Sequence, residues 1–344
     1  MFCVKMDVKT VPVIEPLLPM VVGPISSLVM DLLSGTRTSV DGPLDVDGAD
    51  PYGLDLQLAL YACYELHYRG FAGVSGSWEW DPVLLGLRSR LERVFLQAVT
   101  RDVGDIDPDE TAEDAMAALS VEPVNGTGLS HFLRDEGTWE QMREYFVHRS
   151  LYHLKEGDPH AFAIPRLIGG AKAAFVAVEY DEYGAGRGER VHQHLFANLL
   201  EAAELDGTYL GYLDDVPADT LAVVNLMSLF GLHRDLRGAA VGHFASTEIT
   251  SPPGSARIVQ ALERLDAPHC CTLFYREHVE ADAVHEQVVR HDVVGNLLAR
   301  EPALNHDVIF GIRARDVVED RLADHMMTCW QSGKSSLRRR AAAV

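Results

Sequence analysis

Apolar residues recur at three- and four-residue spacing along most of this chain, and the alternation of a half-buried strand is scarce. That period puts an apolar stripe on a helix, so an all-α protein is expected. Helices are predicted at about 19–34, 54–70, 82–100, 111–120, 137–155, 168–183, 188–204, 217–230, 235–249, 252–265, 269–299 and 305–330. Asp81-Pro82, Asp158-Pro159 and Pro252-Pro253 read as helix starts, because a side-chain acceptor or a missing N–H suits a first turn. Gly184, Gly186 and Gly188 separate two helices by a short turn.

With 344 residues, 47% of them hydrophobic, the chain can bury a substantial core without disulfide staples. The acidic stretch from Arg101 to Glu110 divides an N-terminal helical portion, residues 1–110, from a bundle at 111–332; residues 333–344 are expected to be a mobile basic tail. Leu54 to Gly70 is apolar enough to pack the first portion on the second, as one extended domain. The formal charge of −21 would repel nucleic acid and anionic lipid, so neither is an expected partner. Five cysteines, without CxxC spacing, indicate neither a disulfide scaffold nor a zinc knuckle, and a reducing compartment is expected. Prolines 12, 16, 19 and 24 break the apolar N-terminus, and no run reaches the ~20 residues of a membrane span, so a cytoplasmic protein is expected.

His278, Asp282 and His285 stand at i, i+4 and i+7, which at 100° per residue confines them to a sector of about 60° on one helix. Imidazole and carboxylate together suit iron, manganese or zinc, and the lack of cysteine argues against structural zinc. Taken alone, the triad reads equally well as a charged, solvated face. Other segments add donors. Glu182 ends one helix before the glycine turn and His192 opens the next, so a helical hairpin can bring both to one site. Glu248 stands on an otherwise apolar stripe with Val241, Phe244 and Ala245, where a lone acid is costly without a partner. Several carboxylates with a few histidines is the donor set that two neighbouring cations in a helical bundle need.

Glu-Tyr-Gly at 182–184 with His192 ten residues on, Glu248, and His-x-x-x-Asp-x-x-His at 278–285 resemble the haem-oxygenase-like di-iron oxidases and oxygenases, an iron-containing redox enzyme family. The resemblance covers roughly residues 137–300 and implies a haem-oxygenase-like helical bundle with additional N-terminal helices. It implies that two iron ions, cycling between Fe(II) and Fe(III), are held without haem by Glu182, His192, Glu248, His278, Asp282 and His285, with O2 as co-substrate. Members resembling N-oxygenases carry a further carboxylate about 26 residues before the first glutamate. That offset lands on Glu156, whose other reading is an exposed acid near a helix end. Glu179, one turn before Glu182, competes with it for the ligand role. His148, His153 and His160 are expected to support ligands or lie at the surface, as is Asp292.

No catalytic residue beyond the metal ligands is expected. The implied activity is oxidation of a small organic substrate, with N-oxygenation of an amine or amino-acid-derived compound ahead of oxidative C–C cleavage, desaturation or decarboxylation of an aliphatic or amino acid. A metal-free haem-oxygenase-like hydrolase and a non-catalytic helical protein are the readings from other classes. Expected partners are a small-molecule substrate, an external electron donor and a second copy in a homodimer. Trp78 and Trp80 are expected to pin their helix to the core.

Overall fold

Helix starts follow local chemistry. Asp81 accepts hydrogen bonds from the Val83 and Leu84 N–H groups, Thr111 pairs with Asp114 and Thr138 with Gln141 in reciprocal caps, and Asp55 receives the Ile25 and Ser26 N–H groups at 2.9 and 2.7 Å. In the computed structural model, residues 15–40, 45–121 and 126–339 are described; the side chains of 280–283, Asp282 among them, lie outside the described set. The helices are α1 (Pro24–Leu33), α2 (Leu54–Glu65), α3 (Pro82–Val103), α4 (Ala112–Leu119), α5 (Leu129–Asp135), α6 (Trp139–His153), α7 (Asp158–Ala161), α8 (Gly169–Glu182), α9 (His192–Ala202), α10 (Ala218–Leu232), α11 (Arg237–Arg264), α12 (His269–Gln287), α13 (Asn296–Arg300) and α14 (Asn305–Gln331). A π-helical stretch, Val288–Gly295, joins α12 to α13. Among the described residues there is no strand, and the all-α class stands.

The long helix α11 organises the bundle, packing against α12, α14 and α5, while α12 packs on α9 and α8 on the π-helical stretch. Its crossing with α14 is a backbone contact: a Cβ at Gly242 would overlap the Val308 carbonyl, and one at Gly311 would overlap that of Ala239. Helix α2 packs on α10, α1 and α3, and its residues from Leu56 to Glu65 are all buried.

Several expectations change. Pro252 and Pro253 do not open a helix but lie inside α11, because packing on α12 and α14 holds the chain helical through them. Lacking N–H groups, they donate no hydrogen bond to the preceding turn of the helix. The tail is docked as far as Arg339: Ser336 donates to Glu144 from both its N–H and its hydroxyl, Leu337 is buried, and the Arg338 N–H donates to the Asp215 carbonyl. Residues 340–344 lie outside the described residues. Among the described residues Cys63, Cys271 and Cys329 are free thiols. Trp78 packs against the core, but Trp80 is 68% exposed and meets His67 edge-on. Among the described residues no helix is long and apolar enough to cross a membrane.

Candidate metal centre

Four elements and one turn converge on a buried donor cluster. Glu182 is the last residue of α8 and His192 the first of α9; the intervening turn is made possible by Gly184 and Gly186, whose φ values of 69° and 78° are left-handed. Glu248 comes from α11, His278 and His285 from α12, and Glu156 from the turn between α6 and α7. All six are buried. Their potential ligand atoms form two groups, Glu156, Glu182, His192 and His278 in one and Glu182, Glu248 and His285 in the other, with the atoms of each group within 4.8 Å of one another. Glu182 belongs to both. The sequence-predicted Asp282 lies outside the described side chains.

The geometry fits metal ligation better than hydrogen bonding. His192 Nδ1 lies 2.7 Å from Glu182 Oε2 and 3.9 Å from Glu156 Oε2, yet none of these three atoms has an aligned hydrogen-bond partner. The imidazole of His278 approaches the Phe274 carbonyl with Nδ1 at 2.8 Å, which sets Nδ1 as the N–H donor and leaves the Nε2 lone pair toward Glu156 Oε1 at 3.6 Å. His285 places Nδ1 3.2 Å from Glu248 Oε2 and Nε2 3.0 Å from Asp181 Oδ2. Three carboxylates and three imidazoles, buried together, form a donor set suited to iron.

Electrostatics separates the carboxylates. Burial pushes the Glu156 pKa up, but His153, at 2.6 Å from Oε1, and His278 more than offset it and hold Glu156 below the usual carboxylate range. His192 is held above the usual imidazole range because Glu182 and Glu156 outweigh its burial. Glu179 is the opposite case. It is 2% exposed, neither carboxylate oxygen has a hydrogen-bond partner, and burial followed by repulsion from Glu182, Glu248, Asp158 and Glu156 pushes its pKa well up. It lies outside both donor groups.

A cavity of about 280 Å³ adjoins the cluster, with Glu156, Glu182, Glu248 and His278 on one side and Phe244, Met227, Ile258 and Tyr275 supplying apolar surface. Arg149 also lines it, held by Glu319 in a two-point pair at 2.8 and 2.8 Å. Of the secondary residues, His153 supports Glu156, His148 is buried against Thr220 and Ser336, His160 pairs with His243 at 3.1 Å, and Asp292 is exposed. Sequence reasoning missed Asp181 and Tyr152. Asp181 had one available signal, its place beside Glu182; Tyr152, a cavity-lining phenol whose pKa burial and then the surrounding carboxylates push well up, had none.

Residues 143–320, just over half of the chain, match the profile of a family described as iron-containing redox enzyme. A nitrosourea synthase of Streptomyces achromogenes subsp. streptozoticus is 24% identical to this chain over 160 residues, 46% of this chain and 34% of that protein. The chain thus spans about a third of that relative's length.

Proposed function

Because the chain belongs to the iron-containing redox enzyme family and its matched residues fold as a haem-oxygenase-like helical bundle, we propose that it is a non-haem di-iron oxidoreductase that activates O2 and N-oxygenates an amine or amino-acid-derived small molecule. The observation that carries this reading is the membership of Glu182 in both donor groups. A carboxylate common to two sets of donors would offset the mutual repulsion of two adjacent cations. Asp282, at i+4 from His278, belongs to the proposed set on its spacing.

Two features favour nitrogen as the oxidised atom. Glu156 stands in the first donor group, and the relative that matches this chain carries the name nitrosourea synthase. Bound iron would supply the reduction of O2, which no side chain in the cluster can perform. The residues do the rest. Glu156, Glu182 and Glu248 would neutralise the charge of bound cations, while the Phe274 carbonyl fixes the tautomer of His278 and Asp181 orients His285. Phe244 and Tyr275 give the cavity beside the donors apolar surface on which a substrate can pack. Converting an amine and O2 to a hydroxylamine and water takes two electrons and two protons from outside the substrate, so the reading includes an external electron donor.

Anaerobic titration of metal-free protein with Fe(II), followed by iron analysis, tests the reading. Two irons per chain are expected, with loss of at least one in His278→Ala and in His285→Ala. Exposure to O2 and reductant with a panel of amines should then yield N-oxygenated product. Failure to bind iron, or full iron loading of both variants, would sink the proposal.

A further inference from the structure

Among the described donors, Glu156 alone is not carried by an α-helix. Its neighbours α6 and α7 stop at His153 and begin at Asp158, so helical geometry does not aim its carboxylate. What holds the turn comes from far earlier in the chain. Lys155, 1% exposed, donates to Glu65 Oε2 at 3.0 Å, and its ammonium lies 4.5 and 4.4 Å from the ring centres of Tyr61 and Tyr68. Glu65 is itself fully buried and accepts a second hydrogen bond from the Tyr209 hydroxyl at 2.7 Å. Arg69 donates to the Leu154 carbonyl at 3.3 Å and to Gln193 Oε1 at 2.6 Å, and Gln193 Nε2 donates to the Glu156 carbonyl at 3.0 Å. The backbone is therefore pinned on both sides of Lys155. Its side chain is drawn toward α2, while that of Glu156 turns to His153, His192 and His278.

A buried ion pair is a poor device for stability, since apolar replacements of similar volume often do as well, but it does fix position. We propose that the Glu65–Lys155 pair in its tyrosine cage is a positioning device that aims the Glu156 carboxylate at the donor cluster, making the helix α2 region part of the metal centre. Tyr61, Glu65, Tyr68 and Arg69 all fall outside the family-matched residues 143–320, so this chain supplies the support from its own N-terminal portion. The inference rests on the reading of the cluster as a metal site.

The test uses the full-length, metal-free protein titrated anaerobically with Co(II), read by visible absorption, and with Fe(II), read by iron content. Glu156→Gln is the reference variant. Lys155→Met combined with Glu65→Leu removes both buried charges and keeps apolar volume. The pair of substitutions is expected to leave the melting temperature of the metal-free protein nearly unchanged while weakening one of the two metal equivalents about tenfold, the scale of lost support behind a ligand. Adding Glu156→Gln should weaken it little further, because both changes act through one carboxylate. If the paired variant binds metal and absorbs like the unaltered protein while Glu156→Gln does not, the positioning role is overturned and the metal-site reading survives. If the unaltered protein binds no metal, the underlying reading fails; if Glu156→Gln changes nothing, Glu156 is no ligand and the positioning role is overturned. Should the paired variant not fold, Tyr209→Phe deletes one hydroxyl from Glu65. A weakening of about threefold is expected there from loss of one hydrogen bond, and unchanged metal binding overturns the proposal.

Discussion

Asp181 Oδ2 lies 3.0 Å from Nε2 of His285, one residue before the carboxylate that both donor groups share. A carboxylate behind an imidazole fixes its tautomer and rotation and raises its basicity. Its side chain is half exposed, so Asp181 contributes little to stability. Asp181→Ala is therefore expected to leave the melting temperature of the metal-free protein within about 1 °C, a surface-substitution effect, while lowering Fe(II) affinity about tenfold. Calorimetric titration with Fe(II) under argon checks this, and unchanged affinity would remove Asp181 from the centre.

Glu179 should make the metal-free protein respond to pH. Its folded pKa lies well above the reference of 4.5, so the stability tied to its proton is complete below pH 4.5 and is lost as pH rises toward the folded value. Glu179→Gln keeps the shape and removes the titration. The variant is expected to be more stable than the parent at pH 8 by about 1–3 kcal/mol, the scale of an unsatisfied buried polar group. That advantage should shrink toward pH 5. Paired denaturant titrations across that range measure it, and a variant less stable at pH 8 would show that the carboxylate is compensated.

The Arg149–Glu319 pair predicts the opposite slope. Burial alone would raise the Glu319 pKa, but Arg149 holds it down at about 2, so its contribution is complete above 4.5 and fades as pH falls toward 2. The side chains are 19% and 16% exposed, so Glu319→Gln leaves a mostly buried guanidinium without its counterion, at a cost of about 3 kcal/mol at pH 7. Arg149→Met with Glu319→Met should recover most of that. Urea unfolding at pH 7 and pH 3 distinguishes the cases, since the difference between parent and Glu319→Gln must narrow in acid.

The helices were legible because apolar residues recur at helical spacing over several turns of most long ones, or fill the segment continuously as in α10, whereas the candidate donors Glu182, His192, Glu248, His278 and His285 were picked out together only by the family resemblance that their joint spacing carries. Local reasoning failed where tertiary contact decides. The apolar packing of α11 on α12 and α14 outweighs Pro252 and Pro253. Seven-residue α5 is too short to show a period. Docking of the tail depends on Glu144 meeting Ser336, and the cage around Lys155 on its meeting Glu65; neither pair has a spacing rule. Glu179 and Glu182 are chemically alike on one helix, and only the fold leaves one outside the donor groups that the other joins.

Two glycines of α11 should respond in opposite ways to alanine, and the contrast tests how tightly the bundle grips the site. At Gly242 a Cβ would overlap the Val308 carbonyl, which belongs to backbone and cannot swing aside. Gly242→Ala must therefore push α11 and α14 apart, at a cost of at least about 2 kcal/mol. Because Glu248 follows on the same helix, the displacement should also weaken Fe(II) binding. At Gly254 nothing lies within 4 Å of where an alanine methyl would stand, and the residue is interior to the same helix. Gly254→Ala should then stabilise by roughly 0.5–1 kcal/mol through reduced unfolded-chain entropy and better helix propensity. Thermal unfolding of both variants with and without Fe(II) gives the answer. Equal effects at the two positions would mean that α11 and α14 have room to spare, and that the donors on α11 are not held by the crossing.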